Sequence, residues 1–321
     1  MSRLLGTPEE RWSLRQAIDA VVDAAQRAGS RPWLWIPGII YPSLSLSLGL
    51  LGTLLHSTAQ AVGLDVKFSV FDGSVFFQGL PAVIDMGRGE DSIVFLFLFT
   101  AAVFLCVIPL YRIIVGLARL ADPDLAAGLD ERRDPLTLRG TWHAGRGQGL
   151  TAYGLWLLVS LFQVLAFSIV MAPLLAAIRS FDLPAGYLPI VVLFVLPVAA
   201  IIWLYAILLQ VVLQLALMSL AHNRRGVLSA LTHGWRLVRA SPWAAYRALV
   251  VDLLLFLLMM ALGFAVVIFV FEPLETILNL ASLGFFGLTR AGYWAAVYRS
   301  LGGASTVPLL EPPPRANPEP A

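Results

Sequence analysis

Residues 253–271, LLLFLLMMALGFAVVIFVF, run for 19 positions without a charged, hydroxyl or amide side chain. A helix crosses the hydrocarbon core of a bilayer with about 20 apolar residues, so a run of this length constrains the chain more than any motif in it. Five further stretches share its character, and six spans are expected near 34–62, 92–119, 150–178, 188–220, 244–271 and 274–300. The composition agrees: 59% of residues are hydrophobic and 13% charged, with mean hydropathy +0.81, where a soluble domain carries about 25% charged residues. Pro189 and Pro197 predict a tilt or kink at the outer end of the fourth stretch. Glu272-Pro273-Leu274-Glu275 joins the fifth and sixth as a tight hairpin.

The arginines set the orientation. Arg3, Arg11, Arg15, Arg27 and Arg31 precede the first span, and Arg112, Arg119, Arg132, Arg133, Arg139 and Arg146 lie at or between the second and third. Arg224, Arg225, Arg236, Arg239 and Arg247 lie between the fourth and fifth, and Arg299 and Arg315 follow the sixth. The opposite loops hold Lys67, Arg88 and Arg179. The positive-inside rule then places both termini in the cytoplasm and the protein in a bacterial cytoplasmic membrane. The N-terminus lacks the compact apolar core of a cleavable signal. A net charge of +2, segregated by membrane side, gives no reason to expect nucleic acid. The single cysteine, Cys106, sits in an apolar run as a small hydrophobe.

A repeat underlies the pattern. Residues 138–153 align with 231–246, matching Leu138 with Leu231, Trp142 with Trp235, Arg146 with Arg239, Ala152 with Ala245 and Tyr153 with Tyr246. Leu, Trp and Arg recur at i, i+4 and i+8, one face of a helix. Arg31-Pro32-Trp33 echoes Ser241-Pro242-Trp243. Near the N-terminus, Thr7, Pro8 and Glu10 predict a helix start with a capping box. Leu14, Ile18, Val21, Val22 and Ala25 then fall on one face of an amphipathic segment suited to lying in a membrane interface.

The expected fold is therefore an all-α integral membrane protein of six transmembrane helices in three hairpins, each preceded by a cytoplasmic interfacial elbow helix. Its units are 1–120, 121–222 and 223–303, with a Pro-rich disordered tail at 304–321. Trp142, Arg146, Trp235 and Arg239 are the interfacial anchors, Trp at the headgroups and Arg on the anionic inner leaflet. An extracytoplasmic loop, 64–91, carries VKFSVFDGSVFF at 66–77, where Asp72-Gly73 between alternating segments predicts a small β-hairpin.

Inside the expected spans, Asp252 lies about 12–14 Å beyond Trp243 by helical rise, and Arg290 sits at a similar depth before Arg299. They are expected to pair, either as a packing register or as a proton or substrate site. Gln163, Gln210 and Gln214 form an uncharged counterpart, as interhelical glue or as the lining of a polar cavity with the charged pair. His56, His143, His222 and His233 are dispersed, and no metal-ligand spacing, phosphate loop or nucleophile motif is present. GTWHAGRGQG, 140–149, reads as a flexible joint before the third span. Glu272 and Glu275 read as solvated acids. No enzyme activity, cofactor or metal is expected.

The helix carrying Trp235, running straight into a span, and the closing GYWAAVYRSLGG of the sixth resemble a group of six-span bacterial membrane proteins of uncharacterised function. These are similar to the membrane domain of glycerophosphoryl diester phosphodiesterases. The resemblance covers nearly the whole chain but not the catalytic domain, so it implies a fold and no activity. The expected role is a scaffold or accessory component with membrane lipids as partners, and protein partners on the elbow helices or on the 66–77 hairpin. The alternative is a transporter or lipid-handling permease.

Overall fold

The computed structural model describes residues 12–43, 108–123, 125–126, 138–180, 188–270 and 274–303. Regular structure among them is helical: α1 (Leu14–Gly29), α2 (Trp35–Ser43), α3 (Ile108–Ala121), α4 (Leu138–Ala144), α5 (Gly149–Ser180), α6 (Leu188–Asn223), α7 (Val227–Ala240), α8 (Pro242–Phe269) and α9 (Leu274–Ser300). Two segments, Ala200–Asn223 and Pro242–Val266, are long and apolar enough to cross a membrane. The 66–77 hairpin, the 64–91 loop, the tail, the Thr7–Glu10 cap, His56, Cys106 and Glu272 lie outside the described residues.

Local chemistry sets the helix starts. α1 begins at Leu14, so no helix runs continuously from Pro8: Trp12 and Ser13 are not helical. Ser13 is the cap, its Oγ accepting from Gln16 N–H at 3.2 Å while Gln16 Oε1 accepts from Ser13 N–H at 2.8 Å. This satisfies two donors that a helix start otherwise leaves bare. α1 then has two sides. Ala17, Ala24 and Ala28 are buried against the rest of the protein, while Leu14, Ile18 and Val22 are exposed, each about half.

The chain turns from one helix into the next by the same device twice. Proline clashes with an α conformation in the residue before it. Ser241 takes φ −144°, ψ 67° before Pro242, and Arg31 takes φ −130°, ψ 60° before Pro32, which opens a 3₁₀ turn to Leu34. Trp33 and Trp243, each just after its proline, are 72% and 61% exposed. The middle unit departs from this pattern. α4 stops at Ala144, so Arg146 lies in a turn and not on one helical face with Leu138 and Trp142. That turn is hydrogen-bonded through Gly145 N–H to Thr141 O, Arg146 N–H to His143 O and Gln148 N–H to Gly145 O. Close packing surrounds it: a side chain at Gly145 would strike the Arg112 carbonyl, and one at Gly149, which opens α5, would lie 2.7 Å from the Ile108 carbonyl oxygen.

The helices pack in a cyclic order. α4 rests on α3, α7 on α6, and α1 on α9, which closes the ring. α4 also touches α2, α7 touches α5 and α1 touches α8. In the centre, α3, α6 and α9 pack on one another.

Small residues make the crossings close. A Cβ added at Gly116 of α3 would collide with the Thr141 carbonyl of α4, and one at Gly234 of α7 would come within 2.8 Å of Val212 O of α6. At the third crossing, a Cβ on Gly292 of α9 would sit 3.1 Å from Ala24 Cβ of α1. Thr141 and Gly234 occupy equivalent places in the sequence repeat. Gly38 and Gly284 do the same work between α2 and α9. The fully buried Tyr293, Trp294 and Tyr298 put α9 at the heart of the core. α8 contrasts with it: Leu254, Leu258 and Phe264 are 57%, 59% and 68% exposed.

Candidate functional site

Asp252 and Arg290 meet between α8 and α9. Arg290 Nε donates to Asp252 Oδ1 and Arg290 Nη2 to Oδ2, both at 2.7 Å. The two parallel bonds use the planar fork of guanidinium and carboxylate, the strongest geometry available to the pair. Asp252 stands ten residues into α8 and Arg290 ten before the end of α9, so both sit about 15 Å along their helices. The Asp252 and Arg290 side chains are only 6% and 8% exposed. One turn nearer the helix ends, the Tyr293 hydroxyl donates to Ala248 O at 2.9 Å and ties the same two helices again.

Tyr41 of α2 is a neighbour that depth arithmetic on the last hairpin did not find. Its hydroxyl donates to Gln214 Oε1 of α6 at 2.7 Å, and it lies within the field of both Arg290 and Asp252. Gln214 is thus engaged with α2. Gln163 of α5 donates from Nε2 to the Ala206 carbonyl of α6 at 3.4 Å and its Oε1 has no partner. Gln210 has neither amide atom bonded. The expected Gln163–Gln210 amide bond is therefore absent, because equal depth fixes height along a helix but not rotation about it. Among the described residues, no hydrogen bond joins these glutamines to the Asp252–Arg290 fork.

A second polar cluster joins the ends of the three central helices. Asp122, fully buried just past α3, has its Oδ2 2.9 Å from His222 Nε2 of α6 and 3.3 Å from Arg299 Nε of α9. Asp122 Oδ1 accepts from Leu125 N–H at 3.3 Å. The other ring nitrogen of His222, Nδ1, faces Met218 O at 3.0 Å, so both nitrogens look onto acceptors. Asn223 Nδ2 donates to the Tyr298 hydroxyl at 2.8 Å and to Gly303 O at 3.2 Å. Arg119 donates from Nε to Ala221 O at 2.6 Å and from Nη1 to Ala144 O. Carbonyls at a helix C-terminus lack intrahelical donors and carry partial negative charge, and Arg119 answers two of them at once. Sequence spacing could not reveal this junction, since its members come from three separate units.

The anchors divide. Trp235 and Arg239 are exposed on α7. Trp142 is not free: the Arg112 guanidinium lies 3.8 Å from its ring centroid, and Arg112 Nε donates to Trp142 O at 2.7 Å. Arg146 is exposed in its turn. His233, on α7, has its pKa pushed down, first by burial and then by Arg225, with Arg236 adding to the effect and a backbone hydrogen bond to Gly303 opposing it. Among the described residues, no group of three His, Cys, Asp or Glu side chains is placed to hold a metal ion. Comparison with protein-family models, characterised proteins and solved structures finds no match to this chain.

Proposed function

We propose that this chain is a non-enzymatic multipass protein of the bacterial cytoplasmic membrane, acting as a scaffold or accessory component of a membrane complex. In this reading it has six spans in three hairpins, each preceded by a cytoplasmic interfacial helix, with both termini inside. The observation that carries it is the closure of the buried fork: Asp252 and Arg290 spend both carboxylate oxygens and one face of the guanidinium on each other. A charged pair so engaged sets the register of α8 and α9 and leaves no open carboxylate for substrate. The outward groups are of another kind: Trp33, Trp235 and Trp243 are exposed, and so are Arg236 and Arg239. That combination suits headgroups and partner proteins. The apolar face of α8 supports a lipid setting, since soluble monomers seldom leave so large a patch to water.

The test is native mass spectrometry of the protein extracted gently from its own membrane. A stoichiometric protein companion is expected; a preparation holding only a lipid or isoprenoid, with no companion, refutes the scaffold. A lipid-handling permease is the second reading, favoured by the unpartnered buried amides of Gln210 and of Gln163 Oε1. It requires Gln210→Leu to abolish uptake or flipping while the protein stays folded.

A further inference from the structure

The geometry points to a binding site for the phosphate of an anionic phospholipid at a cleft where α1 meets α3 and α9. Ala24, Ala28, Leu120, Ala121, Leu288 and Gly292 form its apolar floor, and Arg27 and Arg31 stand at its rim. The floor is low because the Ala24–Gly292 crossing has no side chain to fill it.

The arginines have donors to spare. Arg27 Nε is buried with no partner. Arg31 gives one bond, Nη1 to Leu120 O at 3.3 Å, which turns its guanidinium toward the cleft. A planar guanidinium offers five donors and matches phosphate oxygens in pairs, so two such groups over an apolar floor suit a phosphodiester joined to hydrocarbon. Among the described residues, neither arginine is in an ion pair: Asp19 and Asp23 are exposed on α1, and Asp122 is held by His222 and Arg299. The partial negative charge at the end of α1 is itself capped, since Trp35 Nε1 donates to Ala28 O at 2.8 Å.

Depth selects the ligand. Trp33 and Ile36, just beyond Arg31, are 72% and 54% exposed, and an exposed tryptophan beside arginines marks the headgroup level of the inner leaflet. Basic pockets between helices on that side bind anionic headgroups. The cleft is shallow, so the phosphate lies across the two guanidiniums while the acyl chains stay in the bilayer. This inference rests on the membrane reading, which resistance to carbonate extraction tests separately.

The experiment uses the full chain, delipidated and then titrated with phosphatidylglycerol or phosphatidylcholine, with bound lipid counted by native mass spectrometry. Wild type is expected to retain phosphatidylglycerol preferentially. Arg27→Gln/Arg31→Gln should weaken that retention by about 30-fold, the effect of two basic contacts, and Arg179→Gln, on the opposite side in the membrane reading, should leave it unchanged. Arg27→Gln alone, at a half-buried position, serves if the double variant unfolds and should lose about fivefold. Equal retention of the two lipids by wild type, or undiminished phosphatidylglycerol on the Arg27 variants, overturns the site. Inorganic phosphate bound at these arginines without lipid retention overturns the lipid as its source.

Discussion

Arg290 and Asp252 are each far more costly alone than together. Removing one member of a buried pair strands the other and costs about 3–5 kcal/mol, whereas replacing both is often neutral. Asp252→Asn and Arg290→Gln should therefore each lower thermal stability in detergent by that order, and the double variant should recover most of the loss. Additive losses would mean that the fork contributes no coupling. On α7, burial and neighbouring arginines hold the His233 pKa below its ordinary value of about 6.5. The folded state then resists a proton that the unfolded chain accepts, so stability is full above about pH 6.5 and falls as pH drops toward the folded value. His233→Gln should flatten that part of a melting-temperature profile between pH 7 and pH 5; an unchanged slope would assign it to other groups. The fork was legible in the sequence because two helices joined by a four-residue hairpin share a baseline, and helical rise converts position into depth. Tyr41, Asp122, His222 and Arg299 were not, because their partners lie in other units or, for Asp122 and His222, at opposite ends of one unit. Gln210 illustrates the remaining gap, since depth was readable and azimuth was not.

At the scale of the element, the short helices matter most where they cross a long one. A methyl at Gly234 would meet Val212 O at 2.8 Å and Ala216 N at 3.0 Å, both backbone atoms that cannot swing away. Gly234→Ala should destabilise the protein by about 1–3 kcal/mol through overpacking. Gly29, the last residue of α1, has open space around it, so Gly29→Ala should be neutral or stabilise by up to about 1 kcal/mol. Comparative melting of the two variants checks the contrast, and an equal loss at both sites would dismiss the close crossing. The helices were largely readable from apolar run length: α9 spans 274–300 as expected, and α8 and α5 begin within two residues of the expected places. The turns were readable where proline dictates them, at Ser241-Pro242 and Arg31-Pro32. The middle joint misled because its Trp and Arg match those of the third unit, while Gly145 and Gly147 end the helix between them; Gly147 takes φ +77°, a conformation glycine adopts freely.

At the scale of the whole molecule, the cyclic packing explains why the short helices exist. Among the described residues, α4 covers α3, α7 covers α6 and α1 covers α9, so the last helix is packed by the first. The sequence repeat hinted at three units, but only the packing brings α1 onto α9. Reporter fusions at residues 1 and 303 should both read as cytoplasmic, and opposite readings would exclude an even number of spans. The central claim is that the buried charges hold the bundle while function resides on its surface. The most direct measurement replaces both charges with apolar residues, Asp252→Leu/Arg290→Met, and compares the membrane complexes that copurify with the variant and with wild type. Unchanged companions at near wild-type abundance are the expected result. A folded, abundant variant that has lost its companions or its cellular activity would contradict the claim and make the fork a working site.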